Sequence, residues 1–310
     1  MDSPIRGILL KCASVVVFTI MAAIVKSTSE GGLGVPPGQQ VFFRSFFAIP
    51  VILSWLVWRG ELRTGLRTNR PMEHFYRGIA GTSAMALGFW ALALLPFPEA
   101  IAIGYAAPLL VVIFAAMFLG EDVRLFRLSM VALGLIGVLI VLSPQVGFGG
   151  ADPDFRHTLG AVVALGGAAC AALAQVFVRQ MVQQEQTSAI VFWFSATSAA
   201  LGLLTLPFGW VMPDAMTLAL LVATGLLGGI GQILLTSAYR YGEASMIAPF
   251  EYVSMILSVA IGWFLFDEAA TPVMLAGASL VILAGILIIW RERRLGLERN
   301  RQRKAMTPQG

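Results

Sequence analysis

Charge is scarce in this 310-residue chain: only 12% of its residues are Asp, Glu, Lys or Arg, against 58% hydrophobic. A soluble domain carries about a quarter charged residues, and this composition could not cover a water-exposed surface without large apolar patches. A soluble protein is excluded. Cysteine is scarce too: Cys12 and Cys170 both lie in apolar runs, too few for a disulfide framework and suited to buried thiols. The two histidines, His74 and His157, fall in polar connections, which argues against a haem or a His-rich metal site. Phosphate-loop, zinc-protease and nucleophile-elbow motifs are missing from the sequence. Gly229-Ile-Gly231 lacks the third glycine of a dinucleotide fingerprint. No enzyme, ATP drive, metal or cofactor is expected.

What is present is long apolar runs. A spanning helix needs about 20 mostly apolar residues, and ten such runs are read at 7–26, 39–58, 75–95, 98–119, 125–143, 158–178, 188–210, 215–236, 244–266 and 272–290. Gly31-Gly-Leu-Gly-Val-Pro-Pro-Gly38, Leu95-Pro-Phe-Pro98 and the Gly/Asp-rich stretch 143–154 punctuate them. A large α/β enzyme would need polar helices between its strands, which the chain lacks. The expected fold class is an all-α polytopic membrane protein. The first run follows Arg6 but is long for a signal-peptide core and is interrupted by Lys11, so it is read as the first span.

If the N-terminus is cytoplasmic, 17 of the 21 basic residues fall on the inward side, including Arg77 and the seven of the tail from Arg291 to Lys304. Lys26 and Arg156 fall outward, and Lys11 and Arg44 lie within spans. This asymmetry predicts both termini in the cytoplasm and accounts for the pI near 9.4 without nucleic acid. The expected partners are the lipid bilayer and a small-molecule substrate; a homodimer is left open.

The two halves resemble each other. Gly137-Val-Leu-Ile-Val answers Gly285-Ile-Leu-Ile-Ile at an offset of 148, Leu119-Gly-Glu121 answers Phe266-Asp-Glu268 at 147, Glu99-Ala answers Glu243-Ala at 144, and Ile24-Val-Lys26 answers Phe177-Val-Arg179 at 153. Five spans per half is odd, so the second half enters the membrane from the opposite face, as in secondary transporters built from inverted repeats. The predicted organisation is a first repeat over 7–143, a second over 158–290 and a basic cytoplasmic tail over 291–310.

Gly104-Tyr-Ala-Ala-Pro-Leu109 followed by Phe118-Leu-Gly-Glu121, and Ala248-Pro-Phe-Glu-Tyr252 followed by Phe266-Asp-Glu268, resemble the signatures of the drug/metabolite transporter superfamily, EamA family. The second phrase is similar to a subgroup containing bacterial riboflavin and S-adenosylmethionine uptake proteins. The halves differ around it: Pro108 aligns with Met255, and the second repeat's proline sits earlier, at Pro249. The resemblance implies alternating access in the bacterial inner membrane.

Ionisable groups inside spans are functional candidates. Glu251, about 10 Å into the ninth span, suits a proton-coupling carboxylate or a substrate acceptor; a structural acid bonded to a neighbouring helix is the bland reading. Arg44 suits gating or an anionic group, or snorkels outward; its counterpart in the second repeat is Phe194. Lys11 is expected to snorkel to the interface. The amides of Gln175 and Gln232 suit substrate edges or interhelical bonding. Trp90, Tyr105 and Tyr252, with Phe250 nearby, suit stacking on a planar ligand or plain packing. Glu121 and Glu268 are read as caps of the helices that follow them. The expected function is uptake of riboflavin, with S-adenosylmethionine uptake next and export of amino acids or related metabolites third. A membrane enzyme or non-transporting scaffold is the rival class.

Overall fold

Proline sets where several helices begin and where two of them break. The computed structural model describes residues 4–30, 34–119, 125–144, 154–181, 185–241 and 248–306. Helix α1 runs Pro4–Glu30; α2 (Pro37–Phe46), the one-turn α4 (Leu62–Gly65), α5 (Pro71–Leu94) and α6 (Phe97–Gly104) follow, and α3 (Ala48–Trp58) continues α2. Pro37, Pro71 and Pro98 occupy first-turn positions, where a missing N–H is harmless and the fixed φ suits a helix. Pro50 has no N–H to offer the carbonyl of Phe46, and the run 39–58 is accordingly two helices hinged at Phe47. Pro108 does the same four residues after Gly104, separating α6 from α7 (Ala106–Leu119).

The remaining helices are α8 (Leu125–Leu142), α9 (Phe155–Met181), α10 (Thr187–Leu203), α11 (Ala215–Tyr241), a 3-10 turn at Ala248–Tyr252 that feeds α12 (Val253–Phe266), and α13 (Pro272–Met306). Among the described residues there is no strand. The all-α expectation therefore holds. Within those residues six helical stretches are long and apolar enough to cross a membrane, Ile5–Ser29 and Phe97–Phe118 among them, and three shorter apolar helices accompany them. The seventh expected run, 188–210, is helical only to Leu203; beyond it the chain turns, with Gly209 at φ 90°. The tail begins as a continuation of α13, which carries the helix to Met306.

The closest interfaces each join an element before residue 143 to one after residue 154. Helix α5 lies along α9, α1 along α11, α8 along α13, and α2 against α10. Glycine makes the α8–α13 contact possible. A Cβ on Gly137 would lie 2.7 Å from the Gly277 carbonyl oxygen, and one on Gly277 would lie 2.6 Å from that of Gly137. The two backbones touch directly, as small residues allow in apolar bundles. Gly277→Leu is expected to cost about 1–3 kcal/mol by overpacking. Thermal unfolding of the purified protein reads this as a lower Tm; an unchanged Tm would mean the helices do not meet at these glycines.

Candidate functional site

Two lysines on α1 define the site. Lys11 and Lys26 are fifteen residues apart, about 22 Å along a helix and on nearly the same face. Neither side chain snorkels: Lys11 is 3% exposed and Lys26 1%. Lys11 Nζ donates to Glu251 Oε2 at 3.1 Å, and Lys26 Nζ lies 3.0 Å from Glu268 Oε1. Glu251 and Glu268 flank α12 at its two ends. Helices α1 and α12 are thus clamped twice, once at each end.

The Glu251 end is the more exposed one. Its carboxylate side chain is 52% exposed, and it sits in the 3-10 turn that precedes α12. Ser254 Oγ donates to the Glu251 carbonyl at 2.7 Å, so its oxygen is left to accept from the Tyr105 hydroxyl at 2.5 Å. The Tyr105 and Tyr252 rings meet edge-to-face, with centroids 5.3 Å apart. These tyrosines are 147 residues apart, the offset that relates Glu121 to Glu268. Each stands at an interruption of its helix, Tyr105 between α6 and α7 and Tyr252 between the 3-10 turn and α12. At the same offset Glu251 answers Gly104, which is exposed and would meet nothing within 4 Å if given a Cβ. The acid thus belongs to one half only, and the space facing its counterpart is open.

At the other end Lys26 also donates to the carbonyls of Leu95 (2.8 Å) and Leu92 (3.4 Å) and lies over the Phe266 ring. Glu268 Oε2 accepts the Phe97 N–H at 2.6 Å. The expectation that Glu268 caps the helix after it is corrected here: it caps α6, from the first half. Asp267, at φ 55°, takes the left-handed conformation that Asp tolerates better than most residues and turns Glu268 back toward α6. Gly262 admits the close approach, since a Cβ there would lie 2.8 Å from the Pro98 ring. Glu99 is buried and close enough to act electrostatically on both Lys26 and Glu268. A cavity of about 200 Å³ opens beside this cluster, lined by Lys26, Glu268, Asp154, Arg156 and His157.

Of the residues singled out from sequence, Tyr105, Glu251 and Tyr252 come together. Trp90, on α5, is 40% exposed; Gln175, on α9, is exposed, and Gln232, on α11, is half-buried. No hydrogen bond joins these three to the tyrosines among the described residues. Arg44 is buried on α2, 5.6 Å from the ring centroid of Phe194, so it does not snorkel. Glu121 lies outside the described residues. Sequence reasoning passed over Lys26, and placed Arg77 in an inward loop where the structure buries it within α5. The shared face of Lys11 and Lys26 was the available signal.

The model of the EamA-like transporter family matches residues 5–143 and 158–290. The chain belongs to that family. It is a membrane transporter, multi-pass and of the inner membrane, where spanning segments are helices rather than barrel strands. Similar proteins carry different solutes. The pseudopaline exporter CntI of Pseudomonas aeruginosa is 30% identical over 286 residues, 91% of this chain and 95% of that one. The S-adenosylmethionine uptake transporter of Rickettsia bellii is 27% identical over 83% of this chain and 84% of that one. The riboflavin transporter of Vibrio cholerae is 27% identical over 96% and 97%. A solved crystal structure, 23% identical, superposes with a TM-score of 0.67 over 94% of the transporter and 99% of its own chain, which shows a shared fold.

Proposed function

We propose that the chain carries a small charged organic metabolite by alternating access, without chemistry on the solute. In this reading ten spans form two inverted five-helix repeats, 7–143 and 158–290. Both termini and the basic tail 291–310 are cytoplasmic, and the solute passes near the membrane midplane between the halves. The helix pairing supports it: exchanging the repeats turns the α1–α11 interface into the α5–α9 interface and returns α2–α10 and α8–α13 to themselves. Tyr105 and Tyr252 occupy equivalent places about that axis and touch across it.

The observation that carries the solute class is the Lys11–Glu251 pair beside two tyrosines. It offers one charge of each sign and aromatic edges, which suits a zwitterion with a ring system. S-adenosylmethionine is the solute we place first, its cationic end facing Glu251, with Trp90, Gln175 and Gln232 as further polar and aromatic contacts reached as the helices move. Arg44 acts in gating. Riboflavin is the second reading, favoured by the tyrosines and by the likeness to the Vibrio cholerae protein over nearly its whole length.

Labelled S-adenosylmethionine uptake into cells with and without the chain tests the first reading, and labelled riboflavin uptake in a strain unable to make it tests the second. Saturable uptake blocked by the unlabelled compound is the expected result for S-adenosylmethionine. If neither compound enters although the protein is correctly inserted, both solutes are wrong and efflux assays with amino acids follow.

A further inference from the structure

A second charged cluster lies between α2, α5 and α10, away from both α1 clamps. Arg44 and Arg77 are 5% and 8% exposed. Both stack toward the Phe194 ring, with guanidinium carbons 5.6 Å and 3.8 Å from its centroid. They are close enough to repel each other. Among the described residues, Arg44 Nε and Arg77 Nε and Nη1 are buried with no hydrogen-bond partner, and neither arginine has an ion-pair partner. Ser45 Oγ, next to Arg44, is likewise without a partner. The neighbouring hydroxyls of Thr82 and Ser198, by contrast, satisfy each other at 2.7 Å.

The sequence makes room for this cluster. A Cβ on Gly81 would lie 2.7 Å from the Phe194 ring, and one on Gly228 would lie 3.0 Å from Arg44 Nε. Burying two like charges without a counter-ion is strongly unfavourable, and a cation–π contact offsets only part of that. Guanidinium forks match planar oxyanions through paired N–H donors. An aromatic face between two such forks suits an anion attached to an organic body rather than a free mineral ion.

We infer that Arg44 and Arg77 form an anion subsite that holds the carboxylate of the transported solute against Phe194 while it is occluded. This rests on the reading of the chain as an alternating-access carrier. It adds to that reading a solute class, carboxylates, and a second arginine.

The test is thermal unfolding of the full-length protein in nanodiscs with millimolar succinate, inorganic phosphate or chloride at equal ionic strength. Discs of phosphatidylcholine are compared with discs containing phosphatidylglycerol. Succinate is expected to raise the wild-type Tm by about 3 °C near saturation, and Arg44→Gln or Arg77→Gln to remove the shift. Arg77→Lys keeps the charge and loses the fork, and should retain only a smaller shift. On the wild-type chain, succinate should also slow phenylglyoxal modification of both arginines, a readout that needs no variant to fold. No succinate effect, an equal effect in the variants, or stabilisation by phosphate or phosphatidylglycerol alone would overturn the carboxylate subsite. Solute uptake measured in parallel keeps the two ideas apart: uptake that persists without any arginine-dependent anion effect removes this inference and leaves the carrier reading standing.

Discussion

Glu251→Gln is expected to abolish solute accumulation and to destabilise the protein more than Lys11→Met does, although both remove the same ion pair. The asymmetry follows from burial. Lys11 is 3% exposed and Glu251 52%. Taking the carboxylate away deprives an almost wholly buried ammonium of its Glu251 contact, a loss on the order of 1–3 kcal/mol for a buried donor. Taking the ammonium away leaves a half-exposed carboxylate, at about the 0–1 kcal/mol typical of exposed pairs. The double variant Lys11→Met/Glu251→Gln should therefore recover most of the lost stability while remaining inactive, because the acid proposed to face the solute is still missing. Thermal unfolding and labelled uptake, measured on all three variants, separate the two roles. Exchange of labelled for unlabelled solute across proteoliposomes adds a finer split: it should fail in Glu251→Gln if the acid reads the solute, and survive if the acid only couples protons. Normal accumulation by a well-expressed Glu251→Gln chain would remove this residue from the mechanism.

Helix content and the family were legible in the sequence because they depend on local composition and on short contiguous motifs; the breaks near Pro50 and Pro108 were passed over, and 39–58 and 98–119 were read as single spans. The orientation of individual side chains was not legible. Helix α1 is apolar on nearly every side, so apart from its two lysines nothing in its pattern says which face meets α12, and Lys11 reads as a snorkelling residue until Glu251 is seen opposite it. Arg77 lies close to the end of its span, where a basic residue ordinarily marks the cytoplasmic side; its turn inward onto Phe194 depends on Gly81 leaving space, a tertiary fact. Glu268 looks like a helix cap from its position after α12 and is one, but for a helix 171 residues earlier in the chain. The equivalence of Tyr105 and Tyr252 was available at the 147-residue offset already set by Glu121 and Glu268. Only the contact between the rings makes it meaningful.

Lys26→Met has the larger expected effect on the conformational balance. The Lys26 ammonium holds Glu268, the carbonyls of Leu92 and Leu95, and the face of Phe266 in one cluster at 1% exposure. Without it Glu268 keeps the Phe97 N–H but is left with the buried Glu99 nearby, without the cation that acts on both. Breaking a pair whose ammonium is this deeply buried costs about 3–5 kcal/mol, and in the alternating-access reading the cost falls only on states that keep this cluster assembled. States open at this end do not bear it, so the population moves toward them by the same free energy, enough to invert an equilibrium of ordinary size. A cysteine placed at Ala93, in the wall of the adjoining cavity, should then react faster with a membrane-impermeant maleimide in Lys26→Met than in the parent, while net transport falls. Lys26→Arg should not restore the parent rate, since a planar fork cannot reproduce a point charge that donates to two carbonyls and a carboxylate at once. Equal labelling rates in parent and variant would mean that the cluster is structural and does not gate. Because both clamps join α1 to α12, weakening this one leaves the Lys11–Glu251 pair as the remaining tie between those helices. Loss of Glu251 in a Lys26→Met background should accordingly be more damaging than the sum of the two single changes.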